Sequence, residues 1–560
     1  MTDQQIADQA APLDALLVGA ATGTIRRFLP NSSTTRWATA LARKPHSTAA
    51  RLTSLGAEFA KIAVGDSEVT PHPKDRRFAD QAWEQNPLLR RLVQTYLASG
   101  KTANQLIDDA NLDQDDLNRV KFFVDNVVEA MAPSNVPLVN PASAKAAIDT
   151  GGLNLLRGGG QLVRDLASAP RIPEMVDPSG YRLGENIAAT PGAVVLRTDV
   201  FELIQYTPQT AKVSEVPLMI VPPTINKFYA IDLAPDRSLV EHAVRQGQQT
   251  FVLSWRNPDA RHRNWDFATY VDAILEGLST VERITGSTST VLGGICSGGI
   301  LASITAAYLA GVGQISRIKA MVLAVTVIDS SNFGTTGSLT SPKMAEQAKA
   351  NSRRQGYLDG RALAEIFAWL RPGDLIWNYW VNNYLLGKRP PAFDILYWNS
   401  DTTRMTAGLH ADFVDLSLEN AITRPGELVV KGVPIDLSKI EVDAYIVAGI
   451  ADHITPWEAC YQTTQLFGGK SRFVLSTSGH IAALVNPPGN PKSTYRVAEK
   501  NPPAASEWFE VAEITKGTWW TDAATWLDKR SGKHVKAPET LGSEEFPPLV
   551  DAPGTYVFDK

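Results

Sequence analysis

One stretch, Val291-Leu-Gly-Gly-Ile-Cys-Ser-Gly-Gly-Ile300, constrains the fold of this chain more than any other. A β-favouring run, Ser289 to Leu292, enters Gly294-Ile295-Cys296-Ser297-Gly298, and an Ala-, Ile- and Leu-rich stretch from Ile300 to Leu309 leaves it. The reading is strand, sharp turn, helix, with a cysteine at the apex. That is the form of the G-x-S-x-G nucleophile elbow, with sulfur in place of oxygen. A strand that turns at once into a helix strains the apical backbone and crowds its neighbours, so side chains at Gly294 and Gly298 would clash. A cysteine opening a helix also sits where the macrodipole favours the thiolate. The plainer alternative is a Gly-rich turn holding a buried cysteine, and the pentapeptide alone leaves both open.

Composition narrows the setting. The net charge is -5 and basic residues form no long patch, which argues against a nucleic-acid partner. Two cysteines in 560 residues exclude a disulfide scaffold and suggest a reducing compartment. Met1-Thr-Asp-Gln-Gln lacks the charged and apolar regions of a signal peptide. No apolar stretch reaches the ~18–20 residues of a membrane span. The expectation is a cytoplasmic protein, or one on a surface inside the cell.

Residues 1–185 read as a helical N-terminal domain. Thr48 to Phe59, Phe78 to Ser99, Thr102 to Ala110, Asp115 to Met131 and Leu153 to Leu166 carry apolar residues at helical spacing. Gly158-Gly159-Gly160 follows no strand, so it predicts a helix break rather than a phosphate loop. Residues 186–560 read as α/β, with short Val-, Ile- and Leu-rich runs alternating with helical patterns. The strands expected are Ala193 to Leu196, Phe201 to Tyr206, Leu218 to Val221, Thr250 to Ser254, Ser289 to Leu292, Ile318 to Val327, Val442 to Val447 and Phe473 to Leu475. This is a doubly wound sheet with the elbow on its fifth strand. The interval 328–440 lacks strand periodicity and lies where α/β-hydrolases insert a cap. Its aromatics (Trp369, Trp377, Tyr379, Trp380, Tyr384, Phe393, Tyr397 and Trp398) suit cap packing, an apolar mouth or self-association. The Pro-rich, aromatic C-terminal stretch with Trp519, Trp520 and Trp526 is expected to wrap the core.

An elbow predicts an acid after a later strand and a histidine after the last. Val442 to Val447 leads into a loop with Asp452, and Arg472 to Leu475 into one ending at His480. Order and context match, so His480 is the candidate base for the Cys296 thiol and Asp452 the group that orients the imidazole. The rivals have weaker context. His453 adjoins Asp452 but should point away; His410, Asp394, Asp401 and Asp412 lie in the cap; Cys460 lacks glycines and suits a buried structural role. No metal-ligand spacing occurs, and no cofactor is called for. The oxyanion hole needs two N–H groups. Ser297 supplies one, and Ile225 in Val221-Pro-Pro-Thr-Ile-Asn-Lys227 is chosen for the other, since the prolines have no N–H. A thiol attacking a thioester gives another thioester, which suits passing an acyl group to an acceptor better than hydrolysis.

Taken together, several motifs make the chain resemble the single-subunit polyhydroxyalkanoate synthases over nearly its whole length. They are Asp75-Arg-Arg-Phe-Ala-Asp-Gln-Ala-Trp83, Pro222-Pro-Thr-Ile-Asn-Lys-Phe-Tyr229, Ser254-Trp-Arg-Asn-Pro258, Gly294-Ile-Cys-Ser-Gly-Gly299 and Asp374-Leu-Ile-Trp-Asn-Tyr-Trp380. Tyr397-Trp-Asn-Ser-Asp-Thr-Thr-Arg404, Asp452-His-Ile-Thr-Pro-Trp457 and Gly479-His480 with Asn486-Pro-Pro-Gly489 complete the set. The resemblance implies an acyltransferase that polymerises (R)-3-hydroxyacyl-CoA into polyester and releases CoA. It implies that Cys296 holds the growing chain, that His480 deprotonates the thiol, and that Asp452 activates the 3-hydroxyl of the incoming unit, directly or through His480. It also implies a homodimer on the surface of cytoplasmic polymer granules. The strand and loop patterns look closest to the medium-chain members, which usually carry Ser where Thr326 stands and Gln where Ala482 stands; Ala at the second position is typical of short-chain members, so 3-hydroxybutyryl substrates are slightly favoured over medium-chain ones. Met405 to His410 lacks a proline common in the family, and the first ~70 residues match poorly. Arg353, Arg354, Lys388 and Arg389 are candidates for the CoA phosphates. The competing readings are a Cys-dependent polyester depolymerase or thioesterase, and a non-catalytic granule-coat protein on a dead hydrolase fold.

Overall fold

The short apolar runs pair into one sheet of eleven strands. A computed structural model describes residues 13–22, 32–331 and 342–560. In chain order the strands are β1 (Gly192–Arg197), β2 (Phe201–Tyr206), β3 (Leu218–Val221), β4 (Thr250–Trp255), β5 (Thr290–Ile295) and β6 (Ile318–Ala324). There follow β7 (Ala444–Gly449), β8 (Ser471–Ser476), β9 (Thr494–Val497), β10 (Glu513–Lys516) and β11 (Val550–Asp551). Their spatial order is β10-β9-β8-β7-β6-β5-β3-β4-β2-β1-β11. From β4 to β8 neighbouring strands are parallel; the flanking pairs are antiparallel. Strands β3, β4, β5 and β7 are buried at every position, as strands covered by helices on both faces must be. The chain therefore has the α/β-hydrolase architecture expected, with the elbow on the fifth strand of this sheet.

Two compact units result, one comprising Met1–Ala21, Pro178–Gly360 and Phe393–Lys560, the other Thr22–Asp177 and Arg361–Ala392. In the sheet unit the C-terminal stretch does more than wrap. It adds β10 and β11 as strands and the helix Trp519–Asp528. Trp519, Trp520 and Trp526 enter the main core, and the indole N–H groups of Trp519 and Trp520 donate to the carbonyls of Ala483 (2.7 Å) and Leu484 (3.0 Å). These bonds pin the short helix that begins at His480. Strand β6 stops at Ala324, short of the expected Val327, because Val325 takes a left-handed φ of 45°.

The second unit is helical. Asn86 and Asn140 each accept two N–H bonds at the start of a helix whose first residue is proline, Pro87–Ala110 and Pro141–Thr150. Two expectations change here. Phe78 to Ser99 and Thr102 to Ala110 are not separate helices: Pro87–Ala110 runs unbroken through Gly100, which is buried in front of Val128, while Phe78 lies in a preceding 3₁₀ turn. Nor does the glycine triplet break a helix, since Leu153–Ala167 is continuous through it. A Cβ on Gly158 would lie 1.9 Å from the Tyr384 carbonyl oxygen, so close packing against the 380–385 backbone outweighs the modest helix cost of glycine. Trp369, Trp377, Trp380 and Tyr384 form a chain of edge-to-face rings within this unit, whereas Trp398 is buried in the sheet unit. Among the described residues no helix is long and apolar enough to cross a membrane.

Candidate active site

Cys296 stands between β5 and the helix Ser297–Gly311, with φ 50° and ψ −123°. Such a backbone costs on the order of 1–3 kcal/mol and persists only when its surroundings enforce it. They do. A Cβ on Gly294 would lie 2.6 Å from the Gly299 Cα, and one on Gly298 2.3 Å from the Pro222 carbonyl oxygen. The Cys296 N–H donates to the Ala324 carbonyl at 3.0 Å. Thr326 sits beneath the turn, its hydroxyl donating to the carbonyls of Cys296 (3.3 Å) and Ala324 (3.0 Å) and its side chain filling the space above Gly299.

Asp452 follows β7 and His480 follows β8, so adjacent parallel strands deliver both to the edge that carries Cys296. Asp452 Oδ2 lies 2.7 Å from His480 Nδ1, and both side chains are buried. Cys296 adds to the groups that favour a proton on the imidazole. Asp452 Oδ1 accepts the N–H groups of Ile454 (2.8 Å) and Thr455 (2.9 Å), and Oδ2 accepts the Thr455 hydroxyl at 2.6 Å. Burial works against both charges, yet the pairing wins: Asp452 is held below the ordinary carboxylate value. His480 is raised to about 10, burial opposing and the Asp452 charge and hydrogen bond, with Cys296, prevailing. The arrangement offers a sulfur nucleophile, a strong proton acceptor and a carboxylate that fixes the tautomer.

Two backbone N–H groups, of Ser297 and Ile225, are the candidate oxyanion donors. The Ser297 N–H opens a helix and has no intrahelical acceptor. Ile225 lies in the loop after β3, which is tied to the elbow: the Thr224 N–H donates to Ser297 Oγ at 3.0 Å, and the Thr403 N–H and hydroxyl both donate to the Ile225 carbonyl.

A family profile described as the N-terminus of poly-beta-hydroxybutyrate polymerase (PhaC) matches residues 74–243, and one for the alpha/beta hydrolase fold matches 217–487. Poly(3-hydroxyalkanoate) polymerase 1 of Ectopseudomonas oleovorans is 43% identical over 518 residues, covering 92% of each chain. This chain belongs to the poly(3-hydroxyalkanoate) polymerase family. Polymerase 2 of the same organism is 44% identical over 519 residues, 92% of each chain. The PhaC subunit of Cupriavidus necator is 36% identical over 503 residues, 89% of this chain and 85% of that one. The protein is thus an acyltransferase that forms polyhydroxyalkanoate.

Within this polymerase the other sequence candidates fall into several settings. Ala482 is exposed, in the first turn of the helix that begins at His480, and Thr326 is buried under the elbow rather than open to it. Arg353, Arg354, Lys388 and Arg389 are all exposed. His410 is fully buried, and Asp412 accepts the Phe267 N–H at 2.7 Å and is raised by burial to about 6. Cys460 is fully buried, donates to the Thr455 carbonyl at 3.7 Å and has its thiol pushed well up, first by burial and then by Asp452. Sequence reasoning gave no role to Thr455, whose hydroxyl is 2.6 Å from Asp452 Oδ2 and 3.1 Å from His480 Nδ1. Its signal is the spacing: a Thr three residues after an Asp closes an Asx-type turn on that carboxylate.

Proposed function

We propose that this polymerase converts (R)-3-hydroxyacyl-CoA into polyester with release of CoA, through a thioester on Cys296. The observation that supports it best is the buried Asp452–His480 pair, 2.7 Å apart, delivered to the strand edge that carries an elbow whose nucleophile is sulfur. The thiol proton rests on His480, whose raised value favours the imidazolium, the thiolate attacks the thioester carbonyl, and the N–H groups of Ser297 and Ile225 meet the developing oxyanion. Collapse expels CoA thiolate, which receives the proton from His480. The 3-hydroxyl of a second unit then attacks the Cys296 thioester. His480 accepts the hydroxyl proton and returns it to the departing Cys296 sulfur, while Asp452 supports the imidazolium. The lengthened chain, still a CoA thioester, reloads onto Cys296 and releases CoA.

Four-carbon units are the favoured substrate on the pattern of Thr326 and Ala482. A homodimer working at granule surfaces in the cytoplasm fits the outward apolar side chains of the helical unit, Ile148 at 82%, Leu156 at 73% and Val163 at 70% exposure. CoA release from (R)-3-hydroxybutyryl-CoA and (R)-3-hydroxyoctanoyl-CoA, with product analysis and Cys296→Ala alongside, tests the reading. Polymer from the four-carbon substrate, lost in the variant, is expected. Polymer from the eight-carbon substrate alone overturns the chain-length reading, and free 3-hydroxy acid without polymer moves the chain to the depolymerase or thioesterase class.

A further inference from the structure

Lys227 ends the loop that carries Ile225 and is almost wholly buried, at 3% exposure. A cation taken out of water needs acceptors in place of it. The Lys227 Nζ donates to two main-chain carbonyls, of Tyr556 at 3.1 Å and Asp559 at 2.8 Å. Burial lowers the amine to about 8, against the charges of Asp401 and Asp559. The Lys227 carbonyl is held as well, by the Trp398 indole N–H at 2.8 Å.

The segment Tyr556–Lys560 that receives the lysine is anchored to the same part of the molecule. The Asn257 side-chain amide donates to the Asp559 carbonyl (3.3 Å), the Arg404 guanidinium to the Lys560 carbonyl (3.1 Å), and Lys560 Nζ to Asp401 Oδ1 (2.8 Å). The Arg256 guanidinium lies over the Tyr556 ring, 4.3 Å from its centroid. At its other end the Ile225 loop bonds Ser297, the residue after the nucleophile, through the Thr224 N–H. One loop thus joins the elbow to a segment far along the chain.

We propose that Lys227 is a positioning residue for acyl transfer: by latching the segment Tyr556–Lys560, it sets the backbone of the Ile225 loop against Cys296. The proposal rests on the Ile225 N–H being an oxyanion donor. Such donors act through placement, because the developing charge is met only by a dipole already aimed at it. A latch on the loop end holds that aim without touching substrate. A lysine that served packing alone would affect every reaction of Cys296 alike.

That difference gives the test. Alkylation of Cys296 by iodoacetamide forms no oxyanion, whereas attack on a thioester does. In the full chain carrying Lys227→Met, kcat for CoA release from 3-hydroxybutyryl-CoA should fall roughly tenfold to a hundredfold, less than deleting a donor outright. KM and the alkylation rate, followed on the Cys296 peptide, should stay within about twofold. Unchanged kcat, or equal losses in alkylation and turnover, overturns the latch. If Lys227→Met does not fold, Asn257→Ala, which removes one bond to the segment, should show the same split at roughly threefold to tenfold, and unchanged turnover there overturns it too. Ile225→Pro deletes the N–H itself. Full turnover in that variant defeats the oxyanion reading; an inactive Ile225→Pro beside a fully active Lys227→Met defeats only the latch.

Discussion

His480 and His410 are both buried, and their imidazoles shift in opposite directions. Burial disfavours the imidazolium at both sites. At His410 too little opposes it: Nε2 faces the Leu17 carbonyl at 3.4 Å, Nδ1 has no partner among the described residues, and Lys349 counters Asp415. The ring is held down to about 4. At His480 a buried carboxylate stands 2.7 Å from the ring, and the ring rises to about 10. The two cysteines show the same contrast in context. Cys296 opens a helix beside that imidazole, while Cys460 is enclosed and donates to a carbonyl. Seclusion alone makes a side chain inert; a charged partner in direct contact makes it usable.

Removing the partner should make His480 behave like His410. Asp452→Asn leaves the shape but takes the charge, so burial is no longer outweighed; kcat for CoA release should fall roughly 10³–10⁴-fold. Near-normal turnover would mean that the carboxylate is not what separates the two sites. The stability His480 adds, from a raised value, is whole below its ordinary value of 6.5 and lost as pH climbs through about 10. Urea unfolding of Asp452→Asn should show that loss to be absent.

His410 gives the opposite sign. Its folded value is about 4 against 6.5 unfolded, so the unfolded chain binds more protons between them. Stability is whole above about 6.5 and declines by roughly 3 kcal/mol as pH drops to 4. In His410→Met the decline should be shallower by that amount across the same interval. An unchanged slope would show that the ring is not held neutral.

Thr455 sharpens the comparison from within the site. Thr455→Val removes one donor to the Asp452 carboxylate but keeps the 2.9 Å N–H bond to Oδ1. A hydrogen bond to a charged group is worth about 1.5–3 kcal/mol, so kcat should fall about tenfold or more, and Thr455→Ser should restore most of it. The smallest effect belongs to Cys460→Ala: turnover within about twofold and a stability loss of about 1 kcal/mol, read by CoA release and thermal melting. A large loss of turnover would give Cys460 a part in the chemistry.

Much of this was legible before any coordinates. Strands β3 and β4 begin at the expected residues because four to six apolar residues between turn signals are a local pattern. Cys296, Asp452 and His480 stood out because each follows such a strand in the order an elbow requires. The antiparallel pair β9 and β10 at the sheet's edge did not stand out, since strands there carry polar residues and lose the apolar signature. Thr455 was hidden because its role depends on where the Asp452 carboxylate turns.

By itself the sequence determined the kinds of element, their order and the strained glycine-flanked turn, because these depend on neighbours a few residues apart. Tertiary structure alone decided that Gly158 stays helical against Tyr384, that Thr326 braces Cys296 from beneath, and that Lys227 meets carbonyls of Tyr556 and Asp559. Each is a contact between residues distant in the chain, where the close approach of two backbones, or the demand of a buried charge for acceptors, outweighs local preference.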